Sequence, residues 1–167
     1  MFDMFLNINY ILFQIIFLHF INSKDDNFFS YSIIKIYADN ISTIKINNEI
    51  QNINKMLIKK DDKYFELKAY LLEGDNIEII GENKIEKGLI SNIEFYPSYS
   101  KNPIIFPTTN YWYCLNKKGY NTYPMSYYKL NDDKILKNFS KRTYVINGIE
   151  NDIKFDCSSK IPRDDDL

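Results

Sequence analysis

The stretch from Ile36 to Cys114 decides the fold. Residues 36–50 read IYADNISTIKINNEI, 64–83 read YFELKAYLLEGDNIEIIGEN, 87–96 read KGLISNIEFY and 108–114 read TTNYWYC. Apolar residues recur at every second position, the period of a strand with one buried face. Phe65, Leu67, Ala69 and Leu71 fall on one side of the clearest strand, and Tyr64, Glu66, Lys68 and Tyr70 on the other. Gly74-Asp75-Asn76 turns the chain into residues 77–80, where Ile77 and Ile79 point inward and Glu78 outward. Asn47-Asn48 tolerates positive φ and predicts a hairpin turn between Ile44-Lys45-Ile46 and Ile50. Leu89, Ser91, Ile93 and Phe95 alternate in the same way against Ile90, Asn92 and Glu94.

Outside that stretch, Ile34 and Ile36 share one face of a first strand. Asn147-Gly148, between Tyr144-Val145-Ile146 and Ile149, is the strongest hairpin signal in the chain. Pro97, Pro103 and Pro107 make 97–107 read as a long irregular crossing. Residues 119–141 are rich in Tyr and Asn and carry no clear period, although Lys134–Lys137 predicts one helical turn. Short strands with frequent turn signals and no sustained helical period predict an all-β, antiparallel sandwich or barrel.

An apolar run from Tyr10 to Phe20 precedes Ile21-Asn22-Ser23 and the charged Lys24-Asp25-Asp26, the pattern of a secretory leader ending at Ser23. The run is shorter than the roughly 20 residues that span a bilayer. An uncleaved, signal-anchored membrane protein is the alternative. The expected organisation is a signal peptide at 1–23, one β-sandwich domain at 24–160, and a disordered acidic tail at 161–167. Cleavage leaves 144 residues, enough for one core, and takes away Asp3, so 21 acids face 21 Lys and Arg. This balance disfavours nucleic acid, which binds through a basic surplus, and supplies no polybasic cluster for anionic lipid. The terminal Asp-Asp-Asp-Leu differs from a retrieval signal in lacking Glu before the last residue.

The sole histidine, His19, lies in the leader. The mature chain therefore has no imidazole for Ser-His-Asp or Cys-His catalysis, or for a histidine zinc site. Asp61-Asp62 and Asp132-Asp133 are adjacent residues in Lys-rich loops, where solvated charge is the simpler reading than a glycosidase pair. A non-enzymatic protein is expected. Cys114 and Cys157 both follow the leader, so one disulfide is expected in an oxidising compartment, with two free thiols as the cytosolic alternative. Asn40-Ile-Ser42 and Asn138-Phe-Ser140 match the N-glycosylation sequon.

Over residues 36–114 the chain resembles the galactose-binding-domain-like β-sandwich, the jelly-roll class of discoidin-type lectin domains and many carbohydrate-binding modules. The residues that carry this are Ala38-Asp39-Asn40, Ile44-Lys45-Ile46-Asn47-Asn48, Leu72-Glu73-Gly74-Asp75-Asn76, Gly88-Leu89-Ile90 and Trp112-Tyr113-Cys114. The turn commonly carries Asn-Gly where this chain has Asn47-Asn48. The resemblance implies a secreted, extracellular jelly-roll module that binds carbohydrate or a surface protein through loops at one end. It also implies a structural calcium, for which Asp39 and Asp75 are candidates. Both are equally suited to accepting backbone hydrogen bonds in turns. Tyr111, Tyr113 and Tyr120, with Asp39 and Asn40, are the candidate ligand-binding residues. Trp112 alternates with Tyr111 and Tyr113 and is expected in the core near the disulfide. A structural or assembly module of a surface or secretory-pathway complex is the second reading, and a carboxylate-based hydrolase the third.

Overall fold

A computed structural model describes residues 29–97, 101–109, 112–115, 121–122, 126–129, 133–147 and 152–162. The expected leader at 1–23 and residues 163–167 of the expected tail lie outside them. Every strand pairing is antiparallel. The first sheet runs β4 (Leu57–Asp61), β5 (Tyr64–Ala69), β1 (Phe29–Tyr37), β7 (Ile90–Pro97), β8 (Ile104–Pro107). The second runs β10 (Asn121–Thr122), β9 (Tyr113–Leu115), β13 (Lys154–Lys160), β6 (Asn76–Glu82), β2 (Asn40–Ile46), β3 (Glu49–Ile50). A third pairs β11 (Ser126–Lys129) with β12 (Tyr144–Asn147). Among the described residues the helices are two single turns, α1 (Ile53–Met56) and α2 (Asp133–Leu136), the second within a residue of the predicted one. None is long and apolar enough to cross a membrane.

Alternation builds the core. Ile34 and Ile36 from β1, Phe65 and Leu67 from β5, and Ile93 and Phe95 from β7 face Ile44, Ile77, Ile79, Phe155 and Cys157 of the second sheet in one buried cluster. Each such side chain contributes about 1.5–3 kcal/mol on burial. Trp112 belongs to this cluster, is fully buried, and stacks on Phe106 at 6.3 Å. Its indole N–H finds no acceptor among the described residues. Cys114 and Cys157 face each other directly across β9 and β13 and form the disulfide, with Cα atoms 4.0 Å apart. The bond staples neighbouring strands of one sheet. Ile161, placed in the tail by the sequence, is buried in the core and exchanges backbone hydrogen bonds with Asp75 and Gly74, so the domain extends past Lys160.

Turn chemistry follows the sequence closely. Asn47 and Asn48 have φ of 52° and 67°, as a two-residue hairpin with both central residues left-handed requires. Asn47 also reaches across to the next turn. Its Nδ2 donates to Asp75 Oδ1 at 2.7 Å, and its Oδ1 accepts from the Asn76 amide at 2.9 Å. Asp75 Oδ2 accepts from the Leu72 amide, which closes the Gly74 turn (φ +82°).

Two readings are corrected. Residues 104–107 are no crossing: they pair with Asn92–Phe95 as edge strand β8, where Pro107 withholds no needed ladder donor. The expected hairpin at Asn147-Gly148 runs into residues 148–151, which lie outside the described residues, so only its first strand, β12, is described. That strand pairs with β11, and the next described strand, β13, joins the second sheet. Tyr64 is on the outer face of its sheet but is buried, because Ile135, Phe139 and Val145 cover it together with Ile90. That cover also explains why β7 is buried on both faces. Asn92, on its outer side, donates to Thr143 Oγ1 at 2.6 Å and to the Ser91 carbonyl at 3.1 Å, and accepts from the Ser140 amide at 2.8 Å. Leu89 and Ile146 exchange backbone hydrogen bonds, and a side chain at Gly88 would meet the Ile146 carbonyl at 2.3 Å.

The disulfide spans 43 residues. In the chain-entropy picture it contributes about 4 kcal/mol. The double substitution Cys114→Ala and Cys157→Ala is expected to lower unfolding free energy in urea by about 3–4 kcal/mol. A loss under about 1 kcal/mol would show that the bond constrains little.

Candidate functional site

The side chains that alternate with the core positions of β2, β6, β13 and β9 come to the outer face of the second sheet. Register sets them in rows. Lys45 is opposite Glu78, Glu78 opposite Ser158, and Ser158 opposite Tyr113. One row over, Thr43 and Asp156 flank Ile80; at the other end Asn76 faces Lys160. Apart from Thr43 and Ile80, these residues, with Asn48 and Leu115, line a groove of about 550 Å³. Its walls carry two ammonium groups, two carboxyls, a serine hydroxyl and side-chain amides, and Tyr113, 40% exposed, stands at one side.

Its electrostatics centre on β6 and β13. Lys45 Nζ bonds both carboxylate oxygens of Glu78, at 3.0 and 3.1 Å. Asp156 lies diagonally across from Glu78, and its pKa is pushed up to about 6. Partial burial is the largest cause; the charge of Glu78 and a hydrogen bond between the two carboxyls add to it, and Lys45 offsets part. Two acids thus share one cation.

The residues singled out in the sequence are scattered. Tyr113 is in the groove, on a strand rather than in a loop. Tyr111 and Tyr120 lie outside the described residues. Asp39 and Asn40 sit at the Glu82 end of β6, four residues beyond Glu78, or about 13 Å along the strand. They do not converge with Tyr113, which lines a groove on the sheet face. Asp39 Oδ1 pairs with Lys63 at 2.8 Å and Oδ2 accepts from the Lys84 amide at 2.6 Å. The Lys63 hydrogen bond, then that amide, hold its carboxyl below the ordinary value. Asp75 is occupied by Asn47 and the Leu72 amide. Both acids serve turns, and no group of three or more His, Cys, Asp or Glu is placed for a metal among the described residues. Asp61 and Asp62 are exposed at the β4–β5 turn. Of the sequons, Asn40 and Ser42 are exposed on β2, whereas Asn138 is half-buried beside the buried Phe139.

A second polar face, on the outside of the first sheet, is internally paired. Glu94 accepts from Lys35 at 2.5 Å and from the Tyr96 hydroxyl at 3.0 Å, and Tyr64 donates to Glu66 at 2.6 Å. Tyr31 stacks on Tyr96 at 4.6 Å under Lys68, 4.9 Å from its ring. Burial, then the hydrogen bond to Glu94, push the Tyr96 phenol up to about 12. Both Glu94 oxygens and one face of the Tyr96 ring are engaged.

Sequence reasoning missed Lys45, Asp156, Ser158 and Lys160 as neighbours of Tyr113. The two cysteines held the signal: directly opposed, they put the residues before and after them on the opposite face, so Tyr113 and Ser158 had to emerge together.

A raised folded-state pKa means that the fold favours protonated Asp156. Its stabilising contribution is complete below the ordinary 3.8 and is lost as pH rises through about 6. Allowing for solvent screening, wild type should lose about 1 kcal/mol more stability than Asp156→Asn between pH 4 and 7, read from paired urea titrations. Parallel pH profiles would contradict the shift. Comparison with protein families, with characterised proteins and with solved structures returns no match for this chain.

Proposed function

We propose that this chain is a secreted, non-catalytic β-sandwich module, of the galactose-binding-like jelly-roll type, that binds carbohydrate through the groove on its second sheet. The observation that carries the reading is Tyr113. A partly exposed aromatic ring stands beside a shallow row of hydroxyl, amide, carboxyl and ammonium groups, the combination that stacks on a sugar and hydrogen-bonds its rim. The disulfide is compatible with an extracellular setting. A non-catalytic role is supported by the absence of histidine beyond the proposed leader, which leaves no imidazole for Ser-His-Asp or Cys-His chemistry.

The second reading, an assembly module, is favoured by apolar side chains exposed where β3 and β4 form sheet edges: Ile50 at 74% and Ile58 at 52%. A glycan array with the refolded chain, beside a pull-down from extracellular extract, separates the two. Glycan binding that falls on the order of tenfold in Tyr113→Ala, with an unchanged thermal transition, supports the groove. Protein capture that survives Tyr113→Ala but is lost in Ile50→Ser/Ile58→Ser, without glycan binding, supports assembly. Turnover of any bound glycan would overturn both.

A further inference from the structure

We infer that ligand binding in this groove is coupled to uptake of a proton by the Asp156–Glu78 carboxyl pair, so that the groove takes neutral, hydroxyl-rich ligands and holds them more tightly in acid. The inference rests on the groove being the binding site proposed above.

Three strands supply the geometry. Glu78 on β6 is held by both oxygens to Lys45 of β2, which leaves that ammonium little capacity for a second acid. Asp156 on β13 lies one row away, diagonally across from the same Glu78, and lines the same groove. The other charged or titratable groups on this face do not supply the missing cation. Lys160 is four residues along β13 from Asp156, about 13 Å away, beside Asn76. Lys154 stands opposite Glu82 of β6. Tyr113 of β9 presents a phenol. The pair thus carries two negative charges against one positive when fully ionised, and is balanced when one proton is shared.

In the free protein, water on the open side of the groove solvates the second charge. A ligand seated on Tyr113, Ser158 and Asp156 removes that water. The doubly charged pair then loses solvation without gaining a cation, while the singly protonated pair with Lys45 stays neutral. Covering the groove therefore raises the proton affinity of a carboxyl that already titrates at about 6, and by linkage the ligand binds better where the proton is present. A cationic ligand would do the reverse, since its own charge replaces the proton. The sign of the pH dependence reports the charge class of the ligand.

The test is a glycan array carrying neutral galacto- and chito-oligosaccharides, sialylated glycans and chitosan oligomers, probed with the full chain at pH 5.5 and 7.5. Wild type should bind neutral glycans about three- to tenfold more strongly at pH 5.5, and in Asp156→Asn that ratio should fall to about one. Titration of the free protein by carboxyl-carbon NMR supplies a readout independent of any ligand, with Asp156 expected near 6 and Glu78→Gln lowering it. Equal or weaker neutral-glycan binding at pH 5.5, an unchanged ratio in Asp156→Asn, or an Asp156 titration near 4 would each overturn the coupling, whether or not the groove binds sugar. Binding confined to chitosan and stronger at pH 7.5 overturns the neutral ligand class. No binding to any glycan, with Asp156 titrating near 6, would instead sink the groove as a carbohydrate site and the coupling that rests on it.

Discussion

The register between β6 and β13 is the constraint on which the rest depends. Alternation along these two strands sends Ile77, Ile79, Phe155 and Cys157 into the core and Glu78, Asp156 and Ser158 to the outer face. A slip of one residue on either strand would exchange the two sets. The disulfide sits in the same ladder, since Cys157 is opposite both Ile79 and Cys114. Core, covalent staple and groove are therefore one arrangement viewed from different sides. Any sequence change that keeps the core in place keeps the carboxyl pair and Tyr113 in place as well.

The polar residues outside the groove are largely spent on holding turns and covers. Asn47 and Asp75 tie two turns together, Asp39 joins the Lys63 turn to the Lys84 loop, and Asn92 anchors the segment that covers β7. Asn83, fully buried, donates to the Tyr37 and Gly88 carbonyls and accepts from the Glu86 amide, so a loop without regular structure is satisfied from inside. Leaving such a buried donor unpaired costs about 1–3 kcal/mol. A chain rich in Asn meets its loop hydrogen bonds with side chains, and outward residues of β2, β6 and β13 line the groove.

The strands from Ile34 to Phe95 were legible because each carries a period-two pattern ending in turn residues with a steric reason to be there. The left-handed Asn47-Asn48 pair and Gly74 are such cases. Trp112 was legible for the same reason, since alternation beside Cys114 gives it one side only. What was not legible is pairing between strands distant in sequence. Pro107 reads as a breaker because the chain alone does not say that β8 is an edge. Tyr64 reads as exposed because the cover from Phe139 and Val145 comes from 75 and more residues later. The groove escaped notice for that reason too: Lys45, Glu78, Tyr113 and Asp156 come from four strands, and no local spacing relates them.

The most direct test of this account is the β6–β13 register, measured by NMR as backbone NOEs across the two strands in the full chain. The account predicts cross-strand contacts of Glu78 with Ser158 and of Ile80 with Asp156. Contacts of Glu78 with Cys157 or Ser159 instead, a slip of one residue, would turn Asp156 and Ser158 toward the core and contradict both the fold and the groove built on it.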